Sequence, residues 1–332
     1  MLIKDIKNKL FSGLNLTVEE TALTFNSIMS GKVSEIDTTA ILIALKIKQE
    51  TKDEILGATK IMREKSLKIS APENCIDTCG TGGDMKGTLN ISTASAIVAA
   101  SAGIYVAKHG NRSISSKSGS ADILEKLGLK LTSNTKELEE SLKYKNFCFL
   151  FAKYHHEAMK HVINVRKNLE TRTIFNLLGP LTNPASTKKQ LLGVFDKKWT
   201  NIHCEVLKDL GSTNAMVVHG TDGLDEISLS APTLVSELKN EKITNYTFDP
   251  KDYGYNYINI EDIKGGDSDY NANAFLTMLD NPNNSFQKIV ELNAGAAIYI
   301  AGITNSLKDS FLKAHQLIKT GQTREYFRNL VK

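Results

Sequence analysis

Residues 1 to about 68 carry apolar side chains at helical spacing, for example Val18, Ala22, Phe25 and Met29. Thr17-Val18-Glu19-Glu20 and Thr51-Lys52-Asp53-Glu54 are capping-box patterns that open two of the helices. Ile41 to Leu45, with Ala40 and Ala44, gives a helix apolar on most sides. The pattern predicts a small helical bundle. Its apolar faces must pack either on the rest of the chain or on a second copy.

From about residue 72 the pattern changes to short apolar runs that alternate with helices. Strands are predicted at Cys75–Asp77, Ile104–Ala107, Phe147–Phe151 and Ala215–His219, with helices such as Ser92–Ser101 and Asp122–Leu127 between them. Such alternation indicates a mostly parallel sheet covered by helices. The fold class is therefore α/β, with a small N-terminal helical domain over 1–70, a larger domain over 71–332 and a hinge near Lys68–Pro72. Residues 235–290, rich in Asn, Asp and Tyr, read as strands and loops at the sheet edge. Leu292–Ala301 and Leu307–Lys319 read as closing helices.

Open parallel sheets bind ligands beyond the carboxyl ends of their strands. In this chain those places hold Asp77–Asp84, Lys108–Arg112, Tyr154–His156 and His219–Glu226. Four polar segments, rich in glycine or histidine, would meet on one rim.

The first of them is the most informative. Gly80, Gly82 and Gly83 let the backbone turn sharply, and successive N–H groups there, with the helix that follows, form an anion-binding concavity. A Walker loop is excluded because Asp84 and Met85 follow Gly83 where Lys-Ser/Thr is needed. A dinucleotide fingerprint is excluded because Met85 stands where a glycine is needed. A carboxylate such as Asp84 beside phosphate suits ribose hydroxyls or a metal shell.

The segment Lys108–Asp122 combines three cations with four serines before Gly119, the composition of a lid that covers phosphate or diphosphate. Asp225 and Glu226 are adjacent hard-oxygen donors in a glycine-flanked loop, suited to Mg²⁺ with waters and substrate phosphates. His156 and His161 imitate a zinc-binding helix, but the second histidine is one residue too late to share a face with the first. Arg166 lies among Val162, Val165 and Leu169, where an unpaired cation is costly. It suits either a carboxylate-bearing ligand or an internal salt bridge.

Composition narrows the classes further. A net charge of +4 is too mild for nucleic acid but suits an anionic small substrate. Cys75, Cys79, Cys148 and Cys204 have no disulfide-framework spacing, and no apolar run approaches a membrane span. The expectation is a soluble cytoplasmic protein without nucleic-acid or membrane partners.

Gly80–Asp84 with Asn90–Thr93, the Lys108–Asp122 loop, Arg166 with Arg172–Ala185, and Asp222–Ser228 together resemble the anthranilate phosphoribosyltransferase family. The resemblance covers nearly the whole chain, including Gly265-Gly266-Asp267, Asn271-Ala272 and Leu292-Asn293-Ala294. It implies transfer of a 5-phosphoribosyl group from phosphoribosyl diphosphate to the amine of anthranilate, in tryptophan biosynthesis. Gly80, Gly82, Gly83, Asp84, Thr88, Asn90, Ile91, Ser92, Thr93, Lys108, Ser116 and Ser120 would bind phosphoribosyl diphosphate. Ser92, Asp225 and Glu226 would hold Mg²⁺. Gly80, His109, Asn111, His156 and Arg166 would face anthranilate. Lys108, Asn111 and Arg166 would act by positioning, with no dedicated general base. The resemblance further implies a homodimer through the helical domain, which helices from about 160–182 would join in space.

Three positions depart from the family pattern. Lys153 and Glu157 stand where prolines are common, and Glu170 stands where glycine is usual. The competing readings are a pyrimidine nucleoside phosphorylase, which would not need Asp225-Glu226, and a non-catalytic nucleic-acid-binding relative, which would want a basic surface.

Overall fold

The computed structural model describes residues 2–112, 117–281 and 283–332. Four helices open the chain: α1 (Ile3–Phe11), α2 (Val18–Met29), α3 (Glu35–Lys48) and α4 (Lys52–Glu64). Both capping boxes form. Glu20 N donates to Thr17 Oγ1 at 3.2 Å and Thr17 N donates to Glu20 Oε2 at 2.8 Å. The second box does more than cap, because Glu54 is fully buried. It accepts from Thr51 N at 2.8 Å, Leu16 N at 2.9 Å and Lys48 Nζ at 3.0 Å, so one paired carboxylate ties three pieces of the bundle together.

The larger unit alternates as the pattern predicts. Its first part runs β1 (Ile76–Gly80), α5 (Ile91–Ser101), β2 (Val106–Gly110), α6 (Ser120–Lys126), α7 (Thr135–Lys145) and β3 (Phe147–Phe151). Three short helices follow, α8 (Ala152–His155), α9 (Ile163–Leu169) and α10 (Ile174–Leu178), then β4 (Lys189–Gly193), α11 (Trp199–Asp209) and β5 (Asn214–Gly220). A hairpin of β6 (Thr233–Lys239) and β7 (Lys242–Phe248) precedes α12 (Ser268–Asp280), α13 (Ser285–Ala301), α14 (Leu307–Lys319) and α15 (Gln322–Leu330). The strand order is β3-β2-β1-β4-β5-β6-β7. The first five strands are mutually parallel, and β6 and β7 add antiparallel at the edge.

Three local expectations need correction. Strands β1 and β2 run past Asp77 and Ala107 to Gly80 and Gly110, because ladder pairing with β4 and β3 continues through the glycines. Strand β4 has no apolar alternation to announce it. Its Gln190 is buried in a polar cluster, donating to Pro180 O at 2.6 Å and Asp77 Oδ2 at 3.2 Å. The stretch 235–290 is not strands and loops throughout, since it contains α12. There Asp267 Oδ1 caps Tyr270 N at 2.9 Å, and Ala272, Phe275 and Leu279 face inward at helical spacing.

The central strands send alternate side chains into two cores. Leu191, Met216 and Val218 pack with α5 and α13, whereas Leu192, Ala215 and Val217 pack with the second core. That second core also holds α1–α4, α9, α10 and α11. Phe25 of α2 is completely buried, with its ring centroid 5.6 Å from that of Phe175 in α10. Burial of a side chain this size contributes about 2–3 kcal/mol. The N-terminal helices therefore pack on the rest of the chain. All four cysteines are buried and free. Among the described residues, no helix is long and apolar enough to cross a membrane.

Helix α9 ends at Glu170 in the left-handed conformation, φ 45° and ψ 28°. This is where the family pattern has glycine. The side chain at that backbone angle is strained by about 1 kcal/mol. Glu170→Gly is expected to raise the thermal midpoint by an amount corresponding to about 1 kcal/mol. An unchanged or lower midpoint would show that the turn is not strained.

Candidate active site

The site begins where β1 and β4 end. Gly80 and Gly193 are partners in register. A Cβ on Gly80 would stand 2.8 Å from Asp225 Oδ2, and one on Gly193 only 1.6 Å from the Asp225 carbonyl oxygen. Two glycines side by side thus leave the space that Asp225 fills. Its carboxylate accepts from Gly82 N at 2.8 Å, which pins the glycine loop. Gly82 and Gly83 have φ of +64° and +75°, angles that only glycine adopts freely. Thr81 closes the loop onto β4, its N–H donating to Gly193 O at 2.9 Å and its Oγ1 accepting from Phe195 N at 3.0 Å.

Helix α5 opens directly beyond this loop. Asn90 makes no side-chain cap to it; instead Asn90 Nδ2 donates to Ser118 O at 3.2 Å and Asn90 Oδ1 accepts from Asn271 Nδ2 at 2.8 Å. Thr93 Oγ1 is buried with no partner among the described residues. Ser92 N donates to Glu226 Oε1 at 3.1 Å, and Ser92 Oγ accepts from Lys108 Nζ at 3.3 Å. Lys108 also donates to Thr78 O at 2.5 Å. Burial holds the Lys108 ammonium below the usual lysine range, opposed by the carboxylates of Asp77 and Glu226.

The loop bearing Asp225 and Glu226 is held from the far side by Asn293. Its Oδ1 accepts from Ile227 N and its Nδ2 donates to Ile227 O, both at 2.9 Å. Burial pushes Asp225 up to about 7, helped by Asp84, and pushes Glu226 up to about 8, helped by Asp225. Carboxylates crowded in a buried place hold protons until a cation arrives. Among the described residues, no group of three His, Cys, Asp or Glu is arranged to hold a metal by itself. The donor set nevertheless fits Mg²⁺, which takes one or two carboxylates and completes its shell with water and phosphate oxygens.

Both ends of the basic segment belong to regular structure. Lys108 through Gly110 belong to β2, and Ser120 through Asp122 belong to α6. Lys108 is only 1% exposed. Arg112 pairs with Asp122 at 2.7 Å and Glu125 at 2.6 Å, and its guanidinium lies 5.6 Å from the Phe151 ring centroid. β2 is buried on both faces, which takes Lys108 inside, and two carboxylates of α6 capture Arg112. Ser116 lies outside the described residues. Asn111 and Ser120 flank that stretch: Asn111 O accepts from Ala121 N at 3.2 Å, and Ser120 packs beside Gly110. Thr88 forms a bridge with Lys264, and Ile91 is a buried residue of α5.

On the other side of the rim, His109 and His156 meet edge to face, centroids 5.2 Å apart. Burial lowers both imidazoles, His109 well below the histidine range and His156 to about 4. They are neutral at physiological pH. The Nε2 of each is buried without a partner among the described residues. His109 contacts the Gly179 backbone and His156 the Thr182 backbone, at the end of α10. Arg166 joins the same segment, its guanidinium 5.6 Å from the ring centroid of Phe175. It is half-buried, burial lowers its pKa, and it has no acidic partner among the described residues. Of its two readings, the internal salt bridge is absent among the described residues.

Two contributors escaped the sequence reading. Gly193 acts only through its register with Gly80, which needs the strand order to be known. Asn293 stood in a recognised stretch, but its partner Ile227 is far away in the chain.

The larger part of the chain, residues 72–324, matches the profile "Glycosyl transferase family, a/b domain", and residues 4–66 match "Glycosyl transferase family, helical bundle domain". The anthranilate phosphoribosyltransferase of Thermoanaerobacter sp. (strain X514) is 47% identical over 321 residues, 96% of this chain and 95% of that protein. The chain belongs to the anthranilate phosphoribosyltransferase family. The enzyme of that name from Alkaliphilus metalliredigens (strain QYMF) is 44% identical over 98% of this chain and 96% of its own. Among solved structures, the anthranilate phosphoribosyltransferase of Thermus thermophilus superposes with a TM-score of 0.93 at 38% identity, covering 98% of both chains. The Saccharomyces cerevisiae enzyme, solved in complex with PRPP and Mg, has the same fold, with a TM-score of 0.89 at 24% identity over 99% of this chain and 96% of that one.

Proposed function

We propose that this protein transfers the 5-phosphoribosyl group of phosphoribosyl diphosphate to the amine of anthranilate, releasing diphosphate, a step of tryptophan biosynthesis. The observation that carries the reading is Arg166, a half-buried cation on Phe175 that lacks a carboxylate of its own among the described residues. An aromatic acid supplies that carboxylate, and its ring has neutral His109 and His156 as neighbours. Asn111 and Gly80 complete the acceptor side.

The donor belongs on the opposite part of the rim. Gly82, Gly83 and the start of α5 offer N–H groups to the diphosphate, with Ile91, Ser92 and Thr93 in the first turn. Asp84 suits the ribose hydroxyls, while Thr88, Asn90 and Ser120 border the pocket. Lys108 offers positive charge within it. Ser92, Asp225 and Glu226 would hold Mg²⁺, which would supply positive charge against the diphosphate. The bond between the sugar carbon and diphosphate oxygen breaks with its electron pair leaving on oxygen. The anthranilate nitrogen lone pair forms the new bond, and the nitrogen then gives its surplus proton to water. An aromatic amine is already a free nucleophile at neutral pH, so positioning and charge neutralisation suffice.

A homodimer through the helical unit is supported by large apolar side chains left exposed there, including Phe11, Leu23, Ile36 and Ile47. Four unpaired buried cysteines support a cytoplasmic setting. The division into units near residue 70 is supported by the two family matches, which meet between residues 66 and 72.

The test is the loss of anthranilate fluorescence with purified protein, phosphoribosyl diphosphate and Mg²⁺, abolished by a chelator. No loss with all three present would sink the reading. In the same assay Arg166→Ala should raise the anthranilate KM by about 30-fold, the worth of a charge-assisted hydrogen-bond pair. An unchanged KM would remove Arg166 from the acceptor site.

A further inference from the structure

Arg172 has no role in the chemistry above, yet it reaches the glycine loop from a segment that packs on the N-terminal helices. It lies between α9 and α10, whose apolar residues pack in one core with α1–α4. Its Nη2 donates to the carbonyl oxygen of Gly83. The guanidinium also lies over Phe195, with Cζ 4.2 Å from the ring centroid. Phe195 in turn donates its N–H to Thr81 Oγ1 at 3.0 Å. Arg172 thus grips the glycine loop at both ends, directly at Gly83 and through Phe195 at Thr81. Other hydrogen bonds of this loop come from the end of β4, through Gly193 and Phe195, and from Asp225, while Asp84 Oδ1 accepts from Lys86 N within the loop itself.

We infer that Arg172 is a positioning residue that fixes the donor-binding glycine loop from the segment that carries the acceptor site. The inference rests on the phosphoribosyl transfer proposed above. Gly83 carries no Cβ, and one built there would stand 3.3 Å from Arg172 Nε, so the absent side chain lets the guanidinium close on the backbone. The carbonyl of Gly83 and the N–H of Asp84 share one planar trans peptide and point in opposite directions. Holding the carbonyl toward Arg172 sets the direction of the Asp84 N–H, one of the donors available to an anion. The planar fork serves this role because it can donate and stack together, which an ammonium cannot do. Arg172 also shares its short connection with the helix of Arg166. Movement of the acceptor segment is thereby transmitted to the donor loop, and the effect of one substrate on the other must be reciprocal.

The experiment titrates phosphoribosyl diphosphate with Mg²⁺ into wild-type, Arg172→Gln, Arg172→Lys and Phe195→Leu proteins by calorimetry. Both Michaelis constants are measured in parallel. Arg172→Gln is expected to weaken donor binding and raise the donor KM by about tenfold. The anthranilate KM at saturating donor should stay within about threefold. Phe195→Leu should weaken donor binding by about threefold through loss of the stack. Arg172→Lys should fall between wild type and Arg172→Gln. Donor affinity unchanged in Arg172→Gln, with wild type active, would overturn the clamp and leave the transfer reaction standing. Full affinity in Arg172→Lys would also overturn it, because charge alone would then suffice. Wild-type protein that binds no donor would overturn both.

Discussion

Asp225→Asn lowers kcat/KM by about 100-fold, most of it through weaker binding of the Mg²⁺-donor complex. Asparagine keeps the shape that fills the space beside Gly80 and Gly193 and keeps an oxygen for Gly82 N–H, so the fold survives. What it removes is the charge. Activity within about threefold of wild type would mean that Asp225 is a structural prop and no cation site. The same substitution has a second signature, in stability against pH. Asp225 and Glu226 are raised from 3.8 and 4.5 to about 7 and about 8, so the native state holds their protons more tightly than the unfolded chain. Their contribution is fully present below about pH 4 and is lost as pH rises through about 8. Without donor and Mg²⁺, the thermal midpoint of the wild type should therefore decline across that window, and Asp225→Asn should flatten the decline. Binding of the cation needs both carboxylates ionised, so Mg²⁺-donor affinity should rise with pH and level off above about 8. Calorimetry in two buffers of different ionisation enthalpy would detect the released protons.

Gly193→Ala has the larger structural effect. Its Cβ would lie 1.6 Å from the carbonyl oxygen and 2.5 Å from the carbonyl carbon of Asp225, both main-chain atoms. No rotamer change relieves that overlap, so either the β4 terminus or the Asp225 loop must move. The expected cost is about 3 kcal/mol, the upper part of the range for overpacking. Activity should fall by more than about 100-fold even well below the melting temperature, because the carboxylate is displaced with its backbone. Gly211→Ala provides the control. Gly211 has φ of +85° and open space around its Cβ position, so alanine there costs about 1 kcal/mol of backbone strain and leaves kcat/KM unchanged. Equal activity in the two variants would show that the space between the strand ends is not what seats Asp225.

Short-range chemistry is what the sequence made legible. Thr17 and Thr51 announce their helices because a capping box lies within four residues. Gly82 and Gly83 announce a sharp turn because their backbone angles are a local property. Long-range partnerships are hidden. Lys189–Gly193 pairs with Ile76–Gly80 across more than a hundred residues, and the polar Gln190 at its centre is satisfied only by groups that the fold brings to it. The geometry of Lys108 and Arg112 was hidden too, because the burial of β2 on both faces and the carboxylates of α6 decide where they point. Arg172 shows the same limit, since nothing near it in the chain reveals that its partner is the carbonyl of Gly83.

The shared core of the N-terminal helices with α9, α10 and α11 has a consequence for synthesis on the ribosome. Helices α1–α4 emerge long before the segments that cover their inner face. Meanwhile β1, an interior strand of the sheet, waits for β4. Non-local closure of this kind makes folding slow and leaves apolar surface open in the nascent chain. During that interval Phe25 and its neighbours are open to chaperones, and the order of emergence, rather than the final energy, sets the period of greatest risk.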